Sequence, residues 1–230
     1  AAGGAVGAWG FHDDVMRPGA RPGTRTLAAW RAAAPSLAQL EMRGDTVSSR
    51  NPRLQLDLGG YAKGVAIDRA LDRLAAQGLG EALVDLGGNL AAMSRPGEPG
   101  WHIGIRDPQG PGLVASLVTA GREAVVTSGS YERFRLLDGE RCTHILDPLT
   151  LAPATGLVSV TVLHASAAHA DAAATALLVA GPDRWRRVAE GLGVSRVMVI
   201  DRHERVELSA AMAARLRWGS EAWRRRSRVA

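Results

Sequence analysis

The sequence runs to 230 residues, 46% of them hydrophobic but only 4% aromatic, enough to bury a sizeable and mainly aliphatic core. Its net charge of +5 gathers in two basic runs, "RPGARPGTR" and the terminal "WRRRSRVA"; these lack interleaved aromatics and the rest is balanced, so they read as a solvated loop and tail, and no nucleic-acid partner is expected. A single cysteine, Cys142, excludes an internal disulfide, and no run of 18 apolar residues exists to form a membrane-spanning helix.

In chain order, "AAGGAVGAWGF" begins without Met or a visible signal peptide, so an upstream segment is expected. Thr24 to Glu41 reads as helical, broken at Pro35 with Ser36 as N-cap. "RLQLDL" alternates and reads as a strand ending at Gly59-Gly60. From Tyr61 a helix is expected, with Ala62, Ala66, Ala70, Leu71, Leu74 and Ala75 on its inward face and Gly78 as its stop. "EALVDLGGNLAAM" reads as strand, glycine turn, strand; "WHIGIRDP", "GLVASLVTA", "EAVVTSG" and "GLVSVTVLH" are further strands. "AHADAAATALLVAG" is a helix ending at Gly181, with Ala173, Ala176, Leu177 and Ala180 packed inward, and Pro182 leads into another helix. "RVMVIDRHERVEL" reads as strand, turn, strand, and "SAAMAARLRW" as a last helix capped by Ser209. Consecutive strands with helices inserted between groups predict an α+β fold rather than a doubly wound parallel sheet.

Four stretches carry chemistry. "DLGGYAKGVAID" (residues 57–68) ends an extended run, turns on two glycines and opens a helix. Unpaired N–H groups and the positive dipole end suit a phosphate there, and Lys63, the only lysine in the chain, adds a charge that the dipole alone would disfavour. The alternative is a plain turn with a solvated lysine; the P-loop pattern is absent. Asp171 and Thr175 stand four apart, one face of a helix, and form a hard-oxygen pair of the kind Mg²⁺ prefers. Equally, Asp171 could simply favour a helix N-terminus while Thr175 fills a gap. "TSGSYERFRLLDGERCTHILDP" crowds Thr127, Ser128, Ser130, Tyr131, Arg133, His144 and Asp147 into a hairpin, with His144 on an alternating strand as a candidate acid or base or as a structural histidine. The remaining histidines have no zinc-ligand spacing. "ALVDLGGN" ends on Asn89, which could shape a site wall or belong to turn chemistry alone.

Taken in order, "LDLGGYAKGVAID", "ALVDLGGN", "WHIGIRDP", "TSGSYERF", "THILDP" and "SVTVLHASAAHADAAATALLVAG" resemble the signatures of the ApbE-type flavin transferases, the FAD:protein FMN transferases, from about Gly3 to Trp218. The resemblance implies a single ApbE-like domain over residues 1–230, of mixed and antiparallel sheets with helices packed on them. It implies FAD as substrate, Mg²⁺ as cofactor, and transfer of FMN onto a Thr or Ser hydroxyl of a target flavoprotein with release of AMP. Carried over residue by residue, Ala62 (through its carbonyl), Asp171 and Thr175 are the metal ligands. Gly59, Val65 and Ile145 line the FAD site, Lys63 faces the diphosphate, and His144 is the catalytic group, with Asp171 as the other candidate for the proton. His144 is favoured, because a metal-bound carboxylate is a weak base. A place outside the cytoplasm in a GC-rich bacterium, and membrane attachment only through an anchor upstream of Ala1, are implied in the same way.

The sequence also departs from the family's pattern. Several dozen residues expected before Gly3 are missing, Leu149 and Leu151 replace an Arg and a Gly in "DPLTLAPA", Cys142 replaces an aromatic, Asp85 an Asn, and Val65 a larger residue. These departures leave two alternatives: a FAD-binding carrier without transfer activity, and a FAD pyrophosphatase giving FMN and AMP.

Overall fold

The computed structural model describes residues 3–12 and 16–230, which divide into two compact units. The first comprises the chain up to Leu58 together with Glu132–Ala154, and the second comprises Gly59–Tyr131 and Thr155–Ala230.

The first unit opens with α1 (Gly3–Ala8), whose Gly3, Gly4 and Ala5 are buried. Helix α2 (Thr24–Ala33) stops where Ala34 turns left-handed at φ 42 and donates back to Trp30 and Arg31; Pro35 bars any continuation. Ser36 then caps a short 3₁₀ turn (Leu37–Gln39), Gln39 closing the capping box. The helical reading ends there, because Glu41 falls on β1 (Leu40–Arg43), which pairs antiparallel with β2 (Thr46–Ser49). "RLQLDL" is not a strand. Only Gln55 makes a bridge, and Leu56 and Leu58 stay about half exposed. Alternation supplies two faces, but among the described residues no neighbouring strand ladders along either edge of this run.

The second unit starts at α3 (Ala62–Ala76). Its buried face is Gly64, Ile67 and Leu71; Ala62, Ala66 and Ala75, expected inside, are exposed. Alanine gives a helix little amphipathic contrast, so the large Ile67 and Leu71 decide the inward face. A two-glycine turn with positive φ at Gly87 and Gly88 joins β3 (Ala82–Leu86) to β4 (Asn89–Met93). Strands β5 (His102–Arg106), β6 (Leu113–Val118) and β7 (Glu123–Gly129) follow. The chain then returns to the first unit for the hairpin β8 (Phe134–Leu137) and β9 (Glu140–Thr143), turning on Asp138 and Gly139, both at positive φ.

Back in the second unit come β10 (Leu157–His164), α4 (Ala167–Ala180), α5 (Trp185–Gly191), β11 (Arg196–Asp201) and β12 (Val206–Leu208). The last helix expected from the sequence shrinks to α6 (Ala210–Ala213), capped by Ser209, since Arg217–Trp218 forms β13; α7 (Glu221–Arg225) and β14 (Ser227–Val229) complete the chain. A seven-stranded sheet runs β14-β12-β11-β10-β7-β4-β3, all antiparallel except β12–β14, and a three-stranded sheet runs β13-β6-β5. Ile103, Ile105, Val114 and Leu117 meet Val125, Leu163, Met198 and Ile200 in a dry core between the sheets. Helices α3 and α4 pack on the large sheet, α4 over β10 and β7 and α3 over β3 and β4. The architecture is α+β, as the sequence predicts. No helix among the described residues is long and apolar enough to cross a membrane.

Candidate functional site

Two helices meet at close quarters because glycine allows it. A Cβ built on Gly64 in α3 would sit 2.3 Å from the Ala167 carbonyl oxygen at the start of α4, and one on Gly60 would sit 2.7 Å from Thr175 Oγ1. Any larger residue would push the turn that opens α3 away from α4. The approach is locked from α3 by Asp68. Its carboxylate accepts from the N–H groups of Ala167 (2.8 Å) and Ala168 (3.0 Å) and from the Ser166 hydroxyl (2.7 Å), so one helix caps the other. Burial pushes the Asp68 carboxyl up, but the bonds from Ala168, Ala167 and Ser166, with Arg122 nearby, outweigh it and hold the carboxyl below its ordinary value.

At this junction most of α4 is covered, with Ala172 left exposed beside Asp171. Ala167, Ala170, Asp171, Ala173, Ala174, Leu177 and Leu178 are all buried, whereas Ala176 and Ala180 are only half-buried. Asp171 is 2% exposed. Its Oδ2 accepts from the Gly64 N–H (3.2 Å) and its Oδ1 from Asn89 Nδ2 (2.9 Å). Both donors are neutral, and among the described residues no cation pairs with this carboxylate. One helical turn on, Thr175 Oγ1 lies 3.1 Å from Ser128 Oγ on β7. Gly60 touches Thr175 and Gly64 touches Asp171, and Ala62 lies between them in sequence at the first position of α3. Gly59, Lys63 and Val65 belong to the same turn, with Gly59 and Lys63 exposed and Val65 half-buried.

The donor set is one buried carboxylate, one hydroxyl and a turn of main chain. A buried carboxylate without a charged partner costs several kcal/mol unless a cation completes it, so these residues fit a hard cation such as Mg²⁺. Among the described residues no three His, Cys, Asp or Glu side chains come together, so a thiolate or imidazole cage is not offered there.

His144 and Ile145 belong to the first unit, unlike the oxygen set. His144 is not on a strand: β9 ends at Thr143 and His144 occupies the bend after it. Its N–H and Nδ1 both approach the Arg133 carbonyl oxygen (3.3 and 2.9 Å), and its ring meets the Phe11 ring edge-on with centroids 6.3 Å apart. The Ile145 carbonyl accepts from the Ala154 N–H at 2.8 Å. The crowd expected in one hairpin is therefore divided. Thr127 and Ser128 lie on β7 of the large sheet, with Thr127 Oγ1 2.9 Å from Thr161 Oγ1; Arg133, His144 and Asp147 belong to the other unit. Leu151, one of the expected departures in "DPLTLAPA", adopts φ 57 and is buried.

Asn89, readable from the sequence as a site wall or as turn chemistry alone, stands against Asp171. Three participants were hidden: Ser128 read only as one of several hydroxyls, Gly64 only as a helix residue, and Asp68 carried no signal.

The model of the ApbE family matches residues 1–198. The FAD:protein FMN transferase of Rhodobacter capsulatus is 43% identical over 216 residues, covering 94% of this chain and 41% of that protein. A protein of the same name from Vibrio cholerae is 37% identical over 199 residues, covering 85% and 59%. The crystal structure of the ApbE protein from Thermotoga maritima superposes with a TM-score of 0.82 at 30% identity, covering 94% of this chain and 71% of that one. The chain thus spans about half the length of the curated relatives it matches.

Proposed function

Because the chain belongs to the ApbE family, we propose that it transfers the FMN half of FAD to a Thr or Ser hydroxyl of an acceptor flavoprotein and releases AMP. The observation that carries this reading is the buried Asp171 carboxylate, held among the described residues only by neutral donors one turn from Thr175, against the glycine turn that opens α3. Asp171, Thr175 and the Ala62 carbonyl would hold Mg²⁺. Bound there, Mg²⁺ supplies charge neutralisation for the diphosphate and polarises the phosphorus under attack.

The rest falls to the chain's own residues. Lys63 and the first turn of α3 bind the diphosphate and offset the charge that builds on AMP as it leaves. Gly59, Val65 and Ile145 contact the FAD and fix its orientation. The acceptor oxygen bonds to the FMN phosphorus, the bond from that phosphorus to the AMP oxygen breaks, and its electron pair leaves with AMP. The hydroxyl proton goes to His144. A carbonyl oxygen can only accept, so the 2.9 Å contact with Arg133 puts the hydrogen on Nδ1 and, in the neutral ring, the lone pair on Nε2. Asp171 is the poorer base, since both of its oxygens already accept hydrogen bonds.

The test is to incubate the chain with FAD, Mg²⁺ and an acceptor flavoprotein and to look by mass spectrometry for FMN on a Thr or Ser, with AMP in the supernatant. Asp171→Ala is expected to lower turnover by about 100-fold or more. AMP without labelled acceptor would make the protein a FAD pyrophosphatase, and bound FAD without AMP would make it a carrier. Either result overturns the transfer reading.

A further inference from the structure

Behind the two oxygen-bearing side chains of α4 stand two residues from different strands of the large sheet, and they have one property in common. Asn89, the first residue of β4, is 2% exposed and donates to Asp171 Oδ1. Ser128, near the end of β7, is 9% exposed and touches Thr175 Oγ1. Both are neutral, and each engages one α4 side chain. We infer that Asn89 and Ser128 are positioning residues that present Asp171 and Thr175 as cation ligands, an inference that rests on the metal reading above.

Consider Asn89 first. Only its amide nitrogen can donate to a carboxylate, so the bond fixes the orientation of the amide. An Arg or Lys here would hold Asp171 equally well, but it would also neutralise the charge and compete with an incoming cation. The amide immobilises one carboxylate oxygen and leaves the negative charge in place. The Gly64 N–H does the same for the other oxygen from the opposite side. Held at both ends, the carboxylate plane cannot rotate, so a cation meets it without a cost in side-chain ordering.

Ser128 acts on the hydrogen of Thr175. A hydroxyl that offers a lone pair to a cation must send its hydrogen elsewhere, and in a helix the usual recipient is the carbonyl four residues back. Ser128 Oγ, 3.1 Å away, provides a recipient outside the helix. The Thr175 hydrogen then points at the sheet, and its lone pairs are left for the side where Gly60 and the α3 turn approach.

Mn²⁺ serves as the probe, titrated into the full chain, with and without FAD, and followed by the paramagnetic resonance signal of the free ion. The parent is expected to bind Mn²⁺ and Asp171→Ala to lose it. Asn89→Leu, with the same branching and heavy-atom count but without a donor, is expected to weaken Mn²⁺ about 10- to 100-fold, and Ser128→Ala several-fold less severely. Ser128→Thr, which keeps the hydroxyl and suits a strand, restores the affinity, and the metal-free unfolding curve of Ser128→Ala overlays that of the parent. If Asn89→Leu and Ser128→Ala bind Mn²⁺ within about twofold of the parent while Asp171→Ala does not bind, the inference is overturned and the metal reading stands. If Asn89→Leu does not fold, Ser128→Ala and Ser128→Thr decide alone. A parent that binds no Mn²⁺, or an Asp171→Ala that binds it equally well, ends the metal reading itself.

Discussion

In the unit built from residues 59–131 and 155–230, strand ladders and helices absorb the main-chain polar groups, whereas in the unit built from residues 3–58 and 132–154 arginine side chains do much of that work. Arg135 donates to the Trp9 carbonyl (2.7 Å) and to that of Arg17 (2.8 Å), Arg133 to that of Phe11, and Arg31 to that of Thr150 (2.7 Å). The apolar contribution differs in the same sense. One unit has the dry core between two sheets; the other has a small cluster of Trp9, Phe11, Leu137 and Cys142. A region that cannot bury much apolar surface needs point contacts to fix an irregular chain, and those contacts leave no periodicity in the sequence.

The change expected to test this contrast hardest is Gly64→Ala. Alanine is the better helix former by about 1 kcal/mol, so an isolated helix would gain. In the fold the new Cβ meets the Ala167 carbonyl at 2.3 Å, and main chain has to move. The clash should win, with a net loss of about 2–4 kcal/mol in urea unfolding and weaker Mn²⁺ binding. A variant more stable than the parent would mean that α3 and α4 do not pack this closely.

Arg135→Ala probes the other side of the contrast. It strips two main-chain carbonyls of their donor, one of them on the buried Trp9, and should cost about 1–3 kcal/mol. The loss should show as faster amide exchange in residues 3–12 and in the β8–β9 hairpin. Lysine is not expected to rescue it, because an ammonium lacks the planar fork that reaches both carbonyls. Mn²⁺ affinity, whose proposed ligands Asp171 and Thr175 belong to the other unit, should stay within about twofold. Exchange rates unchanged by Arg135→Ala would show that the arginine contacts do not hold this unit.

The same contrast explains what could be read from the sequence. The helices around Lys63 and Asp171 and nearly every strand of the sheeted unit follow from period and from turn glycines, and so does the i, i+4 pairing of Asp171 with Thr175. Period could not give the partner, however. Alternation in "RLQLDL" states which side chains share a face and nothing about whether another strand covers it, and Leu56 and Leu58 remain in solvent. The alanines of α3 fit several faces, and the real one is chosen by Ile67, Leu71 and the close approach at Gly64. Asn89 and Ser128 are 82 and 47 residues from the side chains they hold, a separation that only the assembled sheet closes. For the same reason His144 read as a strand residue: β9 loses its partner after Thr143, and the bend is fixed by contacts to Arg133 and Phe11.

Asp68 is one of the places where the sheeted unit uses the other unit's device, a side chain satisfying main chain across elements, and it gives the smallest and most specific effect. Asp68→Asn keeps an acceptor for α4 but removes the charge from the helix N-terminus, which should cost about 1 kcal/mol at neutral pH. The pH dependence follows from the depressed carboxyl. Burial alone would raise it, yet the bonds from Ala168, Ala167 and Ser166 and the charge of Arg122 bring it below its unfolded value. Between the two values the unfolded chain binds more protons than the folded one, so this stabilisation is complete above the unfolded carboxyl's range, near pH 4, and disappears as the pH falls through the folded value. The gap between parent and Asp68→Asn in urea midpoint should therefore be widest at neutral pH and narrow in acid. Arg122→Gln, which removes the weakest of the named contributions, should shift the acid limb of the parent upward and narrow the neutral-pH gap slightly, because the two are one free energy. A gap of equal size at both ends of the titration would mean that shape, not charge, makes Asp68 the clamp between α3 and α4.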